Sequence, residues 1–398
     1  MSIYRQFGVE PIINATGTVT RLGGAPMPPA VLDAFHAAAQ DAVSLEELQA
    51  AAGRKLAAVT QTEAGLVTAG SAAALTLGAA AILARHSYPR IEQLPHCDGN
   101  PCEFLVARDQ RSGYDHAVRA AGAKLVDVGF NEVVSGAGVR RPEVWEYEAA
   151  ITDQTAGVLY VQSNNSQPAL QEVVRCAHAA GLPVLVDAAG ELPPRSNLVD
   201  IPASGADLVA FSGGKAIRGP QSTGILCGKR EFISSAALQM LDLDDHYQLW
   251  EPPADLIDTS QLSGLPRHGI GRGLKVSKEE IVALLVAVDL FVSGAYDDDL
   301  ARMQDQLDEI KRLVAPADID CQVVLAADGQ RPPLLRIQLD PTQHAAFDIC
   351  RQLRAGTPAI YVGHGRLVEH QLVINPLGLR DDDATLIGER LCQLLGAT

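Results

Sequence analysis

The feature that most constrains the fold is a series of short, almost wholly apolar segments that alternate with helix-like segments between residues 55 and 240. Residues 157–161, 183–187 and 207–211 are three of these segments, and each is apolar at most positions. Strands without an alternating polar face occur in parallel sheets that are covered by helices on both sides. The pattern therefore predicts an α/β domain with a mostly parallel, doubly wound sheet.

The pattern changes near residue 277. A long apolar-periodic helix is predicted to begin there, with Glu279 and Glu280 in its first turn, where the helix dipole favours carboxylates. Mixed strand-like and helix-like segments follow and indicate a smaller α+β domain. We expect an N-terminal arm at residues 1–45 that joins the small domain, a large domain at 46–275 and a small C-terminal domain at 276–398.

Polar groups follow several of the apolar strands, at the edge of the sheet where such folds bind ligands. The turn at residues 68–73 leads into a helix, so it is either an anion site made of free backbone N–H groups or a plain buried helix start. Asp187 ends one strand. Lys215 lies in a glycine-flanked turn after another, and is either a salt-bridge partner or an amine whose pKa burial and nearby cations lower.

These three features together match the needs of an aldehyde cofactor that carries a phosphate. Such a cofactor requires an anion site, an amine for a Schiff base and an acid that keeps its pyridine nitrogen protonated. Lysine is scarce in this chain, so the candidates for the amine are few. The seven lysines are Lys55, Lys124, Lys215, Lys229, Lys275, Lys278 and Lys311.

Five stretches of the sequence resemble one group of enzymes. The stretches are INATGTVTRLGG (13–24), TAGSAAA (68–74), YDHAVRAAGAKLVDVG (114–129), SGGKAIRGPQSTGILCGK (212–229) and RHGIGRGLKVSKEEIVALL (267–285). They are similar to the selenocysteine-synthase-like group of fold-type I enzymes that use pyridoxal 5′-phosphate (PLP), a group that includes D-glucosaminate-6-phosphate ammonia-lyases. The resemblance covers nearly the whole chain, and it specifies fold and cofactor more closely than substrate.

The resemblance implies roles for individual residues. Lys215 would form the Schiff base and move the proton at the substrate Cα, and Asp187 would pair with the pyridine nitrogen. Gln110 or Arg111 would cover the ring, and Ser163 or Asn165 would approach its O3′ side. The residues implied for the cofactor phosphate are Gly70, Ser71, Ala72 and Ser212. Those implied for the substrate are Asn14, Thr16, Thr18, His268, Arg272 and Lys275.

The chain departs from the group in the region that grips the substrate. Related lyases tend to carry an arginine after the strand that matches residues 359–361, where this chain has Val-Gly-His-Gly-Arg, and Arg366 is the candidate replacement. Two of the substrate residues have a structural alternative. Arg272 would otherwise cap a helix or form an interface salt bridge, and His268 would be an exposed loop histidine.

The charge balance excludes several classes of partner. The chain has 32 basic and 48 acidic residues, a formal charge of −16. Because nucleic acids and anionic membranes need a basic surface, neither is expected as a partner, and a transfer-RNA-dependent selenocysteine synthase is disfavoured. Seven cysteines and no secretory signal favour a cytoplasmic protein. The His96–Cys102 segment is interpreted as a polar loop in preference to a metal site, and no metal is expected.

The predicted function is that of a PLP-dependent lyase of the ammonia-lyase or dehydratase type. It would perform an α,β-elimination on a small polar amino acid or amino sugar acid and give a 2-oxo acid and ammonia. A transferase (an aminotransferase or a selenocysteine-synthase-like enzyme) or a racemase would use the same proton abstraction. A catalytically idle binding protein is a further alternative, against which the intact pair of Asp187 and Lys215 speaks. A homo-oligomer built from dimers is expected.

Overall fold

The structure is a computed structural model that describes residues 2–132, 138–139, 141–242 and 246–396. The chain forms two compact units. The larger one consists of residues 27–292, and the smaller one combines residues 1–26 with residues 293–398. None of the helices in the described ranges is both long enough and apolar enough to cross a membrane.

The strands and helices are numbered in chain order. The strands are β1 (Ile13–Ala15), β2 (Ala64–Thr68), β3 (Glu103–Ala107), β4 (Lys124–Val128), β5 (Asn131–Glu132), β6 (Gly138–Val139), β7 (Thr155–Val161), β8 (Val184–Asp187), β9 (Leu208–Ser212), β10 (Gly224–Gly228), β11 (Cys321–Val324), β12 (Leu334–Gln338), β13 (Ile360–Val362) and β14 (Gln371–Ile374). The helices are α1 (Pro29–Ala38), α2 (Leu45–Thr60), α3 (Gly70–Ala84), α4 (Tyr88–Gln93), α5 (Asp115–Ala120), α6 (Val144–Ala150), α7 (Leu170–Ala179), α8 (Asn197–Asp200), α9 (Arg230–Met240), α10 (Lys278–Ser293), α11 (Asp298–Val314), α12 (Ala346–Ala355) and α13 (Asp383–Leu394).

The larger unit is built on a seven-stranded sheet with the strand order β2-β10-β9-β8-β7-β3-β4. β10 is antiparallel to both of its neighbours, and the other pairs in the sheet are parallel. All described residues of β2, β8 and β10 are buried. The predicted α/β class with a mostly parallel sheet is confirmed, and the reason is the one given by the sequence: strands without a polar face need cover on both sides.

Helix α3 shows how completely the sheet is covered. Every residue from Ala73 to Ala84 in this helix is buried, and the helix has no polar face. A helix that is apolar all round belongs in the core of a large domain. The buried residues of α3 form one hydrophobic core with side chains from β3, β8, β9, β10 and α9. The start of α3 is therefore held firmly against the sheet.

The smaller unit has the mixed architecture expected of an α+β domain. β1 and β13 form a parallel pair, while β11, β12 and β14 form an antiparallel sheet in that order. Helices α11, α12 and α13 contribute the apolar side chains that cover these strands, and the residues form one core cluster. Residues from β1 belong to the same cluster, so the first part of the chain completes this unit.

The boundaries of the two units lie at residues 26 and 292, whereas the expected boundaries followed residues 45 and 275. Helices α1 and α10 are placed in the larger unit by their contacts there. The ammonium group of Lys278 donates to the carbonyl of Ala38 at 2.6 Å, and Lys55 forms an ion pair with Asp289. The Leu284 side chain of α10 packs directly on Gly213. A helix boundary in the sequence therefore does not mark the boundary of a packing unit.

Candidate active site

The register of the sheet brings the predicted strand-end residues to one edge of the larger unit. Gly224 at the start of β10 pairs with Thr68 on one side and with Ser212 on the other. Asp187 at the end of β8 pairs with Ala210 of β9 and with Val161, the last residue of β7. The carboxyl ends of β2, β7, β8 and β9 thus lie side by side. This is the edge at which open α/β sheets bind their ligands.

The start of α3 supplies the part of this edge that suits an anion. Gly70 has a φ of +88°, which favours glycine, and no side chain caps the helix start. β10 lies so close that a Cβ on Gly224 would be 2.4 Å from the carbonyl carbon of Gly70 and 2.5 Å from the nitrogen of Ser71. Uncapped N–H groups and the helix dipole together favour a negatively charged group here.

Asp187 supplies a buried carboxyl group at the centre of the edge. It is 9% exposed, and its Oδ1 accepts a hydrogen bond from the backbone N–H of Ala189 at 3.0 Å. Burial raises the pKa of Asp187, and the N–H of Ala189 and the positive charge of Lys215 partly oppose this rise. Asp187 therefore lies within electrostatic reach of Lys215 and would be stabilised as a carboxylate by a further cation.

The seven lysines differ in their ion pairs and in the exposure of their side chains. Four of them form ion pairs with a carboxylate: Lys55, Lys124, Lys229 and Lys278. Lys275 and Lys311 are exposed. Lys215 is partly buried and has neither an ion pair nor a hydrogen bond from its side chain to any residue in the described ranges. The salt-bridge alternative for Lys215 is therefore not seen among the described residues, and its role as a chemical amine stays a prediction.

The loop that carries Lys215 is held by close backbone packing. The N–H of Gly213 donates to the carbonyl of Thr223 at 2.9 Å, and the N–H of Gly219 donates to the carbonyl of Gly213 at 2.9 Å. A Cβ on Gly214 would lie 2.4 Å from the Cα of Gln221. Because the backbone on both sides of Lys215 is fixed, its amine is presented from a rigid base beside Asp187.

Gln110 lies in the short helical turn that follows β3, and its side chain is 7% exposed. Its Oε1 accepts a hydrogen bond from the N–H of Val161 at 2.9 Å, while its Nε2 is buried without a partner among the described residues. The neighbouring Arg111 is tied to Asp115 and Asp127. The predicted role of this stretch over the cofactor ring stays a prediction, but the structure adds a buried donor that lacks an acceptor.

Ser163 is exposed in the turn after β7. Its hydroxyl lies 2.8 Å from that of Ser166 and accepts a hydrogen bond from the N–H of Asn165. Ser163 and Asn165 therefore belong to one hydrogen-bonded turn next to Val161, the register partner of Asp187. Their predicted approach to the O3′ side of the cofactor stays a prediction.

His268 and Arg272 share one acidic partner in the larger unit. The Nε2 of His268 lies 3.4 Å from an Asp242 oxygen, and the Arg272 guanidinium pairs with the other oxygen of the same carboxylate. Lys275 follows Arg272 by three residues in the chain, and its side chain is exposed. The structure thus gives Arg272 an acidic partner, as in the salt-bridge alternative considered for it, and leaves His268 exposed, as in the alternative considered for that residue. The substrate role of these residues stays a prediction.

The remaining predicted substrate residues lie in the smaller unit. The Oδ1 of Asn14 accepts hydrogen bonds from the N–H and the hydroxyl of Thr16, and its Nδ2 donates to the carbonyl of Gly17 at 3.1 Å. Thr18 follows and is partly exposed. Arg366 is exposed and its guanidinium pairs with Glu369 at 2.8 Å. The structure therefore joins Asn14 to Thr16 and gives Arg366 a carboxylate partner of its own.

Three residues at the site were not singled out from the sequence. Thr223 accepts the N–H of Gly213, Gly224 packs on the start of α3, and Leu284 packs against Gly213. The first two lie in the GPQSTG stretch that follows Lys215, so the motif contained the signal. Leu284 comes from α10 and carries no local sign of its contact.

The residues at this edge fit PLP in three respects. The uncapped start of α3 beside Ser212 suits a phosphate, the unpaired amine of Lys215 suits an aldehyde, and the buried carboxyl of Asp187 suits a protonated pyridine nitrogen. All seven cysteines are free thiols. In the described part of the chain, no three His, Cys, Asp or Glu side chains are grouped so as to hold a metal ion.

Two curated proteins are similar to nearly the whole chain. A 5′-C-glycyluridine monooxygenase-decarboxylase from a Streptomyces species is 28% identical, with 98% of this chain and 92% of that protein covered. A D-glucosaminate-6-phosphate ammonia lyase from Salmonella typhimurium is 26% identical, with 99% and 98% covered. A solved structure of D-glucosaminate-6-phosphate ammonia-lyase superimposes with a TM-score of 0.80 at 25% identity, over 99% of this chain and 98% of the other.

The family model for SelA, L-seryl-tRNA selenium transferase, matches residues 12–243. This range is more than half of the chain and contains Gly70, Asp187, Ser212 and Lys215. The predicted resemblance, the fold-type I architecture, the dependence on PLP and the assignment as an enzyme are confirmed. The chain belongs to the SelA family of PLP-dependent enzymes.

Proposed function

We propose that this protein is a lyase that removes a β-substituent or ammonia from a small polar amino acid or amino sugar acid and releases a 2-oxo acid and ammonia. The observation that carries the proposal is the partly buried, unpaired amine of Lys215 beside the buried carboxyl of Asp187. The similarity over the full chain to an ammonia lyase supports the class of reaction.

PLP, when bound, supplies an electron-withdrawing ring that makes the hydrogen on the substrate Cα acidic. Lys215 would accept this proton, because its amine is free of any carboxylate in the described ranges and stands on a rigid loop. Asp187 would keep a proton on the ring nitrogen. The N–H groups at residues 70–72 and the hydroxyl of Ser212 would bind the phosphate and so fix the reacting carbon near Lys215.

The test is a parallel assay of ammonia and 2-oxo acid. Holoenzyme is incubated with a panel of amino acids and amino sugar acids, next to the variants Lys215→Ala and Lys311→Ala. We expect both products in equal amounts from the wild type and from Lys311→Ala, whose lysine is exposed and distant in sequence, and none from Lys215→Ala. Oxo acid that forms only with an added amino acceptor would identify a transferase, and inversion of the substrate without ammonia would identify a racemase.

Oxidative decarboxylation is a second candidate. It is favoured by the full-length similarity to the protein named as a monooxygenase-decarboxylase. The same panel of substrates, assayed for release of carbon dioxide and for uptake of oxygen, distinguishes the two reactions. A lyase releases ammonia without consuming oxygen, whereas carbon dioxide release coupled to oxygen uptake would replace the lyase assignment.

The remaining expectations concern the oligomeric state, the partners and the cellular location of the enzyme. A homo-oligomer built from dimers is supported by the exposed apolar side chains Ile3, Tyr4 and Phe7 at the N-terminus, which are 61–76% exposed. The charge of −16 supports an enzyme that does not bind nucleic acid, and the free thiols support a cytoplasmic location. Light scattering of the purified protein tests the first point, and a transfer-RNA titration tests the second.

A further inference from the structure

Two partly exposed cysteines of the larger unit lie next to one another. Cys97 lies in the loop after α4, and Cys102 directly precedes β3. The thiol of Cys97 is within hydrogen-bonding reach of the thiol of Cys102. Both side chains pack against the hydrophobic core that also contains the residues of α3. The fold therefore holds the two sulfur atoms in one neighbourhood.

One short stretch of backbone contacts both cysteines. The Sγ of Cys97 lies 3.7 Å from the carbonyl oxygen of Gly122, and the N–H of Lys124 donates to the carbonyl of Cys102 at 2.9 Å. Gly122 and Lys124 are separated by a single residue, and two residues of extended chain span at most about 7 Å. A Cβ on Gly122 would lie 3.0 Å from the Cys97 sulfur. These contacts bring Cys97 to the start of β3, where Cys102 lies.

The loop between the two cysteines folds back on itself. The N–H of Asn100 donates to the carbonyl of Cys97 at 2.8 Å, which closes a turn, and the N–H of Cys102 donates to the carbonyl of Gln154 at 3.1 Å. Gly99 in this turn has a φ of +78°, in the region that favours glycine. A disulfide requires Cα atoms about 4.4–6.8 Å apart, so cysteines five positions apart can be joined only where the chain turns back.

A small oxidant has access to this pair. Cys176, Cys227 and Cys350 are at most 8% exposed, whereas Cys97 and Cys102 are partly exposed. Burial raises the pKa of the Cys97 thiol, so its reactive thiolate is scarce and we expect the first step of an oxidation to be slow. Once one sulfur has reacted, the other lies beside it and can complete a bond within the molecule.

We propose that Cys97 and Cys102 are a redox-modification site, which a small disulfide such as oxidised glutathione converts into a reversible intramolecular disulfide. One cysteine thiolate attacks the small disulfide, forms a mixed disulfide and expels one glutathione thiolate. The second cysteine then attacks the cysteine sulfur of the mixed disulfide and expels the other glutathione. The two protein thiols thus lose two electrons and two protons, and the small disulfide accepts them and becomes two thiols.

The pair lies away from the candidate active site. β3 is parallel to β7, which is parallel to β8, and Asp187 is the last residue of β8. Cys102 precedes the first residue of β3, so it lies at the edge of the sheet opposite to Asp187. The proposal therefore does not depend on the lyase reaction, and its test needs no turnover.

The test is equilibration of the holoenzyme in buffers with graded ratios of oxidised to reduced glutathione, followed by alkylation of the remaining thiols and peptide mass spectrometry. We expect a linkage between Cys97 and Cys102, the loss of two titratable thiols and the recovery of both with dithiothreitol. In Cys97→Ser, the remaining Cys102 should carry glutathione instead. Cys321→Ser is the matched control, because Cys321 is also partly exposed but belongs to the smaller unit. It should show the same linkage as the wild type.

The same equilibration in urea tests whether the fold positions the two thiols. We expect the folded protein to reach half oxidation at a ratio about tenfold less oxidising than the unfolded chain, in which the two cysteines meet only by chance. This comparison uses the wild type alone, so it stands even where a substitution disturbs folding. Glutathione adducts without an internal linkage, a linkage to another cysteine, or equal half-oxidation ratios for the folded and unfolded protein would each overturn the proposal.

Discussion

The N–H of Val161 donates to the Oε1 of Gln110 across 2.9 Å, and the Nε2 of the same side chain is buried without a partner among the described residues. This contact ties the short helical turn after β3 to the last residue of β7. Val161 is in turn the register partner of Asp187. The amide of Gln110 is therefore held in one orientation next to the strand that pairs with the one carrying the Asp187 carboxyl group.

Replacement of Gln110 by leucine should lower both stability and cofactor affinity. The N–H of Val161, in a partly buried position, would lose its acceptor, at a cost of about 1–3 kcal/mol in the free energy of unfolding. We expect the apoprotein to unfold at a lower urea concentration and to bind PLP more weakly by fluorescence titration. Gln154→Leu, at an exposed side chain, serves as the control and should change neither value. Unaltered urea midpoints for both variants would contradict the prediction.

The substitution Asp187→Asn should make the apoprotein more stable at neutral pH, and it should lower the activity of the holoenzyme. Burial raises the pKa of Asp187 above its ordinary value of 3.8, so the folded chain holds this proton more tightly than the unfolded chain does. The stability that the group contributes is present below about pH 3.8 and is lost as the pH rises through the folded pKa. Asparagine stays neutral and avoids this loss.

The difference in stability between Asp187→Asn and the wild type should therefore shrink as the pH falls, which thermal unfolding of the two apoproteins at several pH values measures. With cofactor bound, the variant should lose about 10²–10³-fold in kcat/KM, because a preorganised charge has been removed. Asp153→Asn, at an exposed aspartate, is the control for both effects. A variant whose apoprotein is less stable than the wild type at pH 7 would refute the role of burial.

Gly224→Ala should displace the start of α3. The added Cβ would lie 2.4 Å from the carbonyl carbon of Gly70, a distance that requires backbone movement, and overpacking of this kind costs about 1–3 kcal/mol. We expect weaker PLP binding in equilibrium dialysis and a lower unfolding temperature. Gly113→Ala is the matched control, since a Cβ there meets no atom within 4 Å. Equal PLP affinity in the two alanine variants would argue against a phosphate site at α3.

Asp207→Ala should destabilise the protein without altering the chemistry. The Asp207 carboxylate is 3% exposed and contacts Lys229 at 2.6 Å, His178 at 2.9 Å and the N–H of Val184 at 2.7 Å. Val184 begins β8, so this cluster lies at the edge of the sheet opposite to Asp187. Loss of the buried acid takes the acceptor from the N–H of Val184 and the acidic partner from Lys229 and His178. Because those two side chains are 44% and 38% exposed, we expect a cost of about 1–3 kcal/mol in chemical denaturation.

The specific activity of folded Asp207→Ala should equal that of the wild type, measured at a temperature at which both remain native. Asp200→Ala removes an exposed acid and should leave stability unchanged. A large loss of activity in folded Asp207→Ala would show that the two edges of the sheet are coupled.

The sequence alone determined the fold class and predicted the central residues of the candidate site. Apolar strands without a polar face require a covered parallel sheet, and polar residues directly after such strands must lie at one edge of it. Asp187 and Lys215 could be read in this way because the signal is local: each follows its own strand. The structure agrees with this reading of Lys215, which has no carboxylate partner in the described ranges.

Only the tertiary structure decided the features that depend on contacts between distant parts of the chain. The orientation of Gln110 is set by its hydrogen bond to Val161, and the closeness of β10 to the start of α3 leaves no room for a side chain at Gly224. The boundaries of the units followed the packing of α1 and α10 and not a change in sequence pattern. Periodicity and strand ends are properties of short segments, whereas side-chain partners are selected when the segments pack together.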